Sequence, residues 1–112
     1  MRKLKKLSLP PKVTEAIIEL VNSLKKSHAD IEVYLFGSFA KGTWLEDSDI
    51  DLIIVSEYFK NMKPEKRYSY VRNLASRKVP FELLIYTPQE FEKARKKSIV
   101  IQDASEYWVK LT

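Results

Sequence analysis

Both glycines of this 112-residue chain fall inside one stretch, Phe36-Gly37-Ser38-Phe39-Ala40-Lys41-Gly42-Thr43-Trp44-Leu45-Glu46-Asp47-Ser48-Asp49-Ile50-Asp51-Leu52. Ile31 to Phe36, which is short, β-branched and aromatic, leads into it, and the apolar run Ile50 to Val55 leads out of it. The spacing predicts a strand that runs into a tight turn at Gly37-Ser38, then a loop, then a second, well-buried strand. Glycine allows a backbone to turn with positive φ or to approach a ligand closely. A chain that spends both glycines in one inter-strand connection keeps that freedom for one place, and long connections tend to carry function.

The remaining pattern builds a frame around that connection. Pro10-Pro11 precedes Val13, Ile17, Leu20, Val21 and Leu24 at helical spacing, which predicts an amphipathic helix over Pro11 to Ser27. Pro64 to Ser76 carries Tyr68, Val71, Leu74 and Ala75 at the same spacing, so Tyr68 is expected inward and Tyr70 exposed. Val79 to Tyr86 reads as a third strand. Thr87-Pro88-Gln89-Glu90 is a capping box with proline at the first helical position, and it opens a helix to about Lys97. Ile99 to Gln102 is expected to extend that helix, and Tyr107 to Leu111 to form a short edge strand, with Trp108 available as a surface anchor. Helix, strand, strand, helix, strand, helix indicates the α/β (α+β) class, a small mixed β-sheet with helices packed on it. The length suits one domain over residues 1–112 with a single hydrophobic core.

Composition removes several classes of function. With no cysteine there is neither a disulfide framework nor a zinc-thiolate site, and the single His28 cannot support a histidine-rich metal centre. His28 closes the first helix, where a histidine serves as a charge partner for the helix end. No apolar run approaches the length that spans a bilayer, so the expectation is a soluble, cytoplasmic protein without a membrane partner. The net charge of +5 favours polyanions, yet it is spread along the chain and gathered in residues 1–12 and in Lys93 to Lys97. That distribution reads as solvated helix faces rather than a nucleic-acid site.

The chemistry concentrates in the glycine stretch and one later strand. Ser38 adds a hydroxyl beside the exposed amides of a turn, a corner able to hold phosphate oxygens. Asp49 and Asp51 stand two apart at the head of a strand, so their side chains share a face while Ile50 and Leu52 point to the core. Paired carboxylates repel unless something positive lies between them, and hard oxygen ligands suit Mg²⁺. Glu82 sits among the apolar residues Phe81 to Ile85, where an ionised carboxylate is costly unless paired or metal-bound. Two explanations stand for it, a basic partner and a third carboxylate of the metal site. Ser48 reads as a cap for the turn before the strand, and Trp44 as either a stacking surface or a loop tryptophan folded over the core.

Gly37-Ser38, then Gly42, then Ser48-Asp49-Ile50-Asp51-Leu52, then an acidic residue in a later strand, resembles the signature of the nucleotidyltransferase superfamily that includes DNA polymerase beta. The likeness extends over almost the whole chain and is strongest to the minimal nucleotidyltransferases that accompany HEPN-domain proteins in toxin-antitoxin pairs. The resemblance implies the nucleotidyltransferase fold and transfer of a nucleoside monophosphate, AMP from ATP, to a hydroxyl. It implies triphosphate binding by Gly37 and Ser38 with Lys41 and Gly42 beside them. Asp49, Asp51 and Glu82 would be the catalytic and metal-binding carboxylates. Two Mg²⁺ ions roughly 3.5 to 4 Å apart would serve an in-line attack on the α-phosphate. It further implies a HEPN-domain partner carrying the acceptor tyrosine, and an antitoxin role.

Two positions depart from the family pattern. The third carboxylate, commonly Asp, is Glu82, and the often basic position 39 is Phe39, leaving Lys41 as the nearest cation to the triphosphate. A second class of function therefore stands beside the enzyme: a nucleotide-binding module, weak or inactive in turnover, that neutralises or regulates a partner by contact. A small-molecule or RNA nucleotidyltransferase ranks last, because such relatives carry a further domain for the acceptor.

Overall fold

The computed structural model describes residues 2–112. The chain forms α1 (Arg2–Lys5), α2 (Pro11–Ser27), β1 (Glu32–Phe36), α3 (Gly37–Lys41) and β2 (Ile50–Val55). A 3₁₀ turn at Glu57–Phe59 leads to α4 (Pro64–Leu74), β3 (Phe81–Tyr86), α5 (Pro88–Lys97), α6 (Ile99–Ser105) and β4 (Val109–Lys110). The strands make one mixed sheet in the order β3-β2-β1-β4, with β1 antiparallel to both neighbours and β2 parallel to β3. The expected α/β class with a mixed, helix-covered sheet is the observed one.

Strand alternation divides the apolar residues between two faces. Val33, Leu35, Ile50, Leu52, Ile54, Phe81 and Leu83 pack with the buried stripe of α2, with Val71 of α4 and with Leu4. Tyr34, Phe36, Ile53 and Val55 face the other way, onto Phe91 of α5 and Ile101 and Ala104 of α6. Helices thus cover both sides. Asp51 follows the alternation of Ile53 and Val55, so it emerges on the α5/α6 face, where a core residue would otherwise stand.

The helix boundaries have local causes. Proline begins α2, α4 and α5, where its missing N–H costs nothing. In the α5 capping box the Thr87 hydroxyl accepts from Glu90 N at 3.3 Å while Glu90 Oε1 accepts from Thr87 N at 2.9 Å.

Several expectations change. Gly37-Ser38 opens the five-residue helix α3 rather than a simple turn. Ile99 does not extend α5, because the chain breaks at Ser98, whose hydroxyl caps a separate α6 by accepting from Ile101 N at 3.3 Å. In α4 the roles of two tyrosines are reversed. Tyr68 is exposed, whereas Tyr70 is half-buried, its hydroxyl 2.7 Å from His28 Nε2 and its ring against Tyr58. His28 therefore meets a hydroxyl and aromatic rings at the end of α2. Trp108 is half-buried rather than a free surface anchor, its ring 4.6 Å from Tyr34 and 5.8 Å from Phe91.

Arg67, which carries no apolar periodicity, turns out to be buried. It donates to both carboxylate oxygens of Glu90 and to the carbonyls of Met62 and Ile85, joining α4, β3 and α5. Such a bidentate pair fixes orientation as well as distance. No helix among the described residues is long and apolar enough to cross a membrane.

Candidate active site

The end of β1, the start of β2 and the start of β3 meet at one corner of the sheet. Phe36 pairs with Asp51 across the antiparallel ladder, and Asp51 pairs with Glu82 across the parallel one. Parallel neighbours in register point their side chains the same way, which brings Asp51 and Glu82 into hydrogen-bond contact. Asp49 is exposed just before β2 and lies close enough for its charge to act on Asp51.

Gly37 is fitted against this corner. Its φ is +73°, and a Cβ placed there would lie 1.8 Å from Asp51 Oδ2 and 2.7 Å from Asp51 Cγ. Any side chain would collide with the carboxylate, so only glycine lets the backbone of α3 sit directly beside it. Gly42 has a different task. With φ +81° it ends α3 in the left-handed conformation, and the N–H groups of Gly42 and Thr43 both donate to Ser38 O, at 2.9 and 3.0 Å. Ser38 is half-exposed in the first turn of α3, and Lys41 is exposed with Nζ 4.5 Å from the centroid of the Tyr107 ring.

The neighbours of these residues resolve two open readings. Phe39 is 2% exposed and stacks on half-buried Trp44 at 5.7 Å, so Trp44 covers the core. Ser48 Oγ accepts from Leu45 N at 2.8 Å, a turn-capping bond. Glu82 is exposed rather than enclosed by its apolar neighbours, and among the described residues no basic side chain pairs with it. Its partner is another carboxyl.

That arrangement sets the electrostatics. Burial first, then the hydrogen bond to Glu82, then the negative charges of Glu82 and Asp49, push the Asp51 carboxyl up to about 7. Among the described residues no three His, Cys, Asp or Glu side chains form a complete ion cage. The donor set nevertheless fits Mg²⁺, which takes one or two carboxylates from a protein and fills its shell with phosphate and water. All donors here are oxygens, and the repulsion that raises Asp51 is what a divalent cation would remove.

Tyr107 is the member of the corner that local sequence pattern does not reveal. Its hydroxyl accepts from Gly37 N at 3.3 Å, although the two residues are far apart in the chain. The signal lies in the antiparallel register of β1 and β4: with Tyr34 opposite Lys110 and Leu35 opposite Val109, the ladder continued past its end sets Gly37 opposite Tyr107.

Residues 17–107 match the family described as "Nucleotidyltransferase domain". The chain belongs to that family. A Methanocaldococcus jannaschii protein named "Putative protein adenylyltransferase" is 31% identical over 91 residues, 75% of this chain and 88% of its own length. A second protein of the same name and organism is 44% identical over 45 residues, 38% of this chain and 45% of its own length. Among solved structures, a "putative nucleotidyltransferase" from Sulfolobus solfataricus superposes with a TM-score of 0.58 at 29% identity, covering 70% of each chain. Another "putative nucleotidyltransferase" gives 0.57 at 28% identity, covering 86% of this chain and 97% of its own. In this nucleotidyltransferase the aspartates and the glycine-serine corner lie at one end of β2. A cavity of about 580 Å³ walled by Asp30, Glu32, Tyr34 and Phe91 lies at the other end and contains none of them.

Proposed function

We propose that this nucleotidyltransferase moves AMP from ATP onto a tyrosine hydroxyl of a HEPN-domain partner, and that the modification silences the partner, making the chain an antitoxin. The observation that carries the reading is the corner itself: Gly37 against Asp51, with Asp51 and Glu82 paired side by side on adjacent strands. The two relatives named as protein adenylyltransferases support a protein as the acceptor.

In this reading Gly37 and Ser38, at the start of α3, hold the triphosphate and fix the α-phosphate in front of the carboxylates. Asp49, Asp51 and Glu82 would hold Mg²⁺, which when bound offsets negative charge on the phosphates and on the departing pyrophosphate. Glu82 is exposed, so an acceptor held by a partner can reach it. Its carboxylate takes the phenolic proton as the tyrosine oxygen bonds to the α-phosphorus and pyrophosphate leaves. Holding both reactants in line is the greater part of the catalysis, since phosphoryl chemistry asks little covalent help from a protein.

The test is incubation with ATP labelled on the α-phosphate, Mg²⁺ and the partner protein that co-purifies with this chain, its identity as a HEPN-domain protein being checked first. Label on a partner tyrosine, absent with Asp49→Asn/Asp51→Asn, is the expected result. Label on no protein, with the partner folded and bound, would sink the transfer reading. A second reading, a module that binds nucleotide and acts by contact, is favoured by Phe39, which spends an often basic position on the core. Binding of ATP without release of pyrophosphate would select it.

A further inference from the structure

We propose that Tyr107 belongs to the phosphate side of this corner, donating its phenolic O–H to a triphosphate oxygen and holding the Lys41 ammonium beside the same group through its ring. The inference rests on the nucleotide-binding reading above and adds to it a residue from the far end of the chain.

Three observations converge on it. A tyrosine hydroxyl is both acceptor and donor. Here the acceptor side is used by Gly37 N–H at 3.3 Å, while among the described residues the phenolic proton has no acceptor of its own. Lys41 Nζ stands 4.5 Å from the ring centroid, and among the described residues it has no carboxylate partner. A free O–H and an unpaired ammonium, side by side at a glycine amide, make an anion-binding arrangement.

The third observation is where these groups sit. Gly37 links them to the carboxylates, because the same residue that touches Tyr107 through its N–H abuts Asp51 through its Cα. The arrangement also answers the loss of a cation at position 39, where Phe39 is buried and can offer no charge. Stacking of the Tyr107 ring on a base is the less favoured use, since Lys41 already lies over the ring. The short strand β4 acquires a purpose, because its pairing with β1 delivers Tyr107 to Gly37.

Calorimetric titration of the full chain with ATP and with inorganic tripolyphosphate, both with Mg²⁺, tests this in the wild type, Tyr107→Phe and Tyr107→Leu. Tyr107→Phe keeps the ring under Lys41 but loses one bond to a charged acceptor, so both ligands should bind about tenfold more weakly, while the melting temperature falls by no more than loss of the long bond from Gly37 N entails. Tyr107→Leu should lose more, as Lys41 is no longer held. Equal affinity in wild type and Tyr107→Phe would overturn the proposal and leave nucleotide binding standing. A loss for ATP but not for tripolyphosphate would overturn it too, since the hydroxyl would then serve the nucleoside. A loss of affinity in Tyr107→Phe that is explained by the fraction of the variant unfolded at the titration temperature would make Tyr107 merely structural. Failure of the wild type to bind either ligand would overturn the nucleotide-binding reading, and this inference with it.

Discussion

Replacing Gly37 by alanine should be costly for two separable reasons. At φ +73° an alanine pays the steric penalty of the left-handed region, roughly 1 kcal/mol. Its Cβ would also stand 1.8 Å from Asp51 Oδ2, so the carboxylate must rotate away and lose its bond to Glu82. An off-rotamer side chain costs about 0.5–1.5 kcal/mol, and a lost hydrogen bond about 1 kcal/mol. The sum is about 3 kcal/mol, readable as a lower midpoint in urea at an unchanged slope. In an Asp51→Ala background the Oδ2 and Cγ contacts vanish, and only the Asp51 Cβ at 3.1 Å remains. The cost of Gly37→Ala should then fall to about the 1 kcal/mol backbone part, a coupling of about 2 kcal/mol between the two positions. A single-mutant cost that is the same in both backgrounds would refute the idea that Gly37 is glycine because of Asp51.

Other expectations follow from the same geometry. Glu82→Gln should preserve folding and most triphosphate affinity while cutting transfer steeply, and Glu82→Asp should retain activity. A large fall in melting temperature with transfer per folded molecule unchanged would remove Glu82 from the site. Because Asp51 titrates near 7 in the folded chain against an ordinary 3.8, the native state binds more protons than the unfolded one between those limits. Stability should therefore fall as pH rises through that window, and Asp51→Asn should abolish the fall and be more stable above pH 7, by about 1–2 kcal/mol once solvent screening of this half-exposed group is allowed for. Identical pH profiles for wild type and Asp51→Asn in urea melts would contradict this. Arg67→Ala should cost about 3 kcal/mol, the lower end for breaking a buried pair because Glu90 is half-exposed. The Arg67 hydrogen bond is the first cause holding Glu90 below its usual 4.5, so that contribution is present above this pH and is lost as pH falls through the lowered folded value.

What sequence pattern can reveal depends on the distance over which it acts. α2 and β2 are recovered with their observed bounds because apolar periodicity is itself what buries them, and the Thr87 capping box is legible because all its partners lie within four residues. Asp49 and Asp51 are readable as a pair for the same local reason, although the strand takes in only Asp51 and begins after Asp49. α3 escapes, since five residues are too few to show a period and its stability comes from burying Phe39. α1 escapes too, because among its lysines only Leu4 is fully buried. The contact of Asp51 with Glu82 needs the parallel register of β2 and β3, and that of Tyr107 with Gly37 needs the register of β1 and β4. Register is tertiary information that no window along the chain contains. Arg67 escapes for a related reason: its four acceptors come from α5, β3 and the turn before α4, and no local pattern brings them together.

The central claim is that one corner, formed by Gly37, Ser38, Asp49, Asp51 and Glu82, holds a nucleoside triphosphate through Mg²⁺. Calorimetry of ATP binding to the wild type and to Asp49→Asn/Asp51→Asn, each with Mg²⁺ and with chelator, tests it most directly. The account predicts Mg²⁺-dependent binding by the wild type, lost in a double variant that melts no lower than its parent because mutual carboxylate repulsion is gone. Equal Mg²⁺-dependent affinity in a well-folded double variant would contradict it.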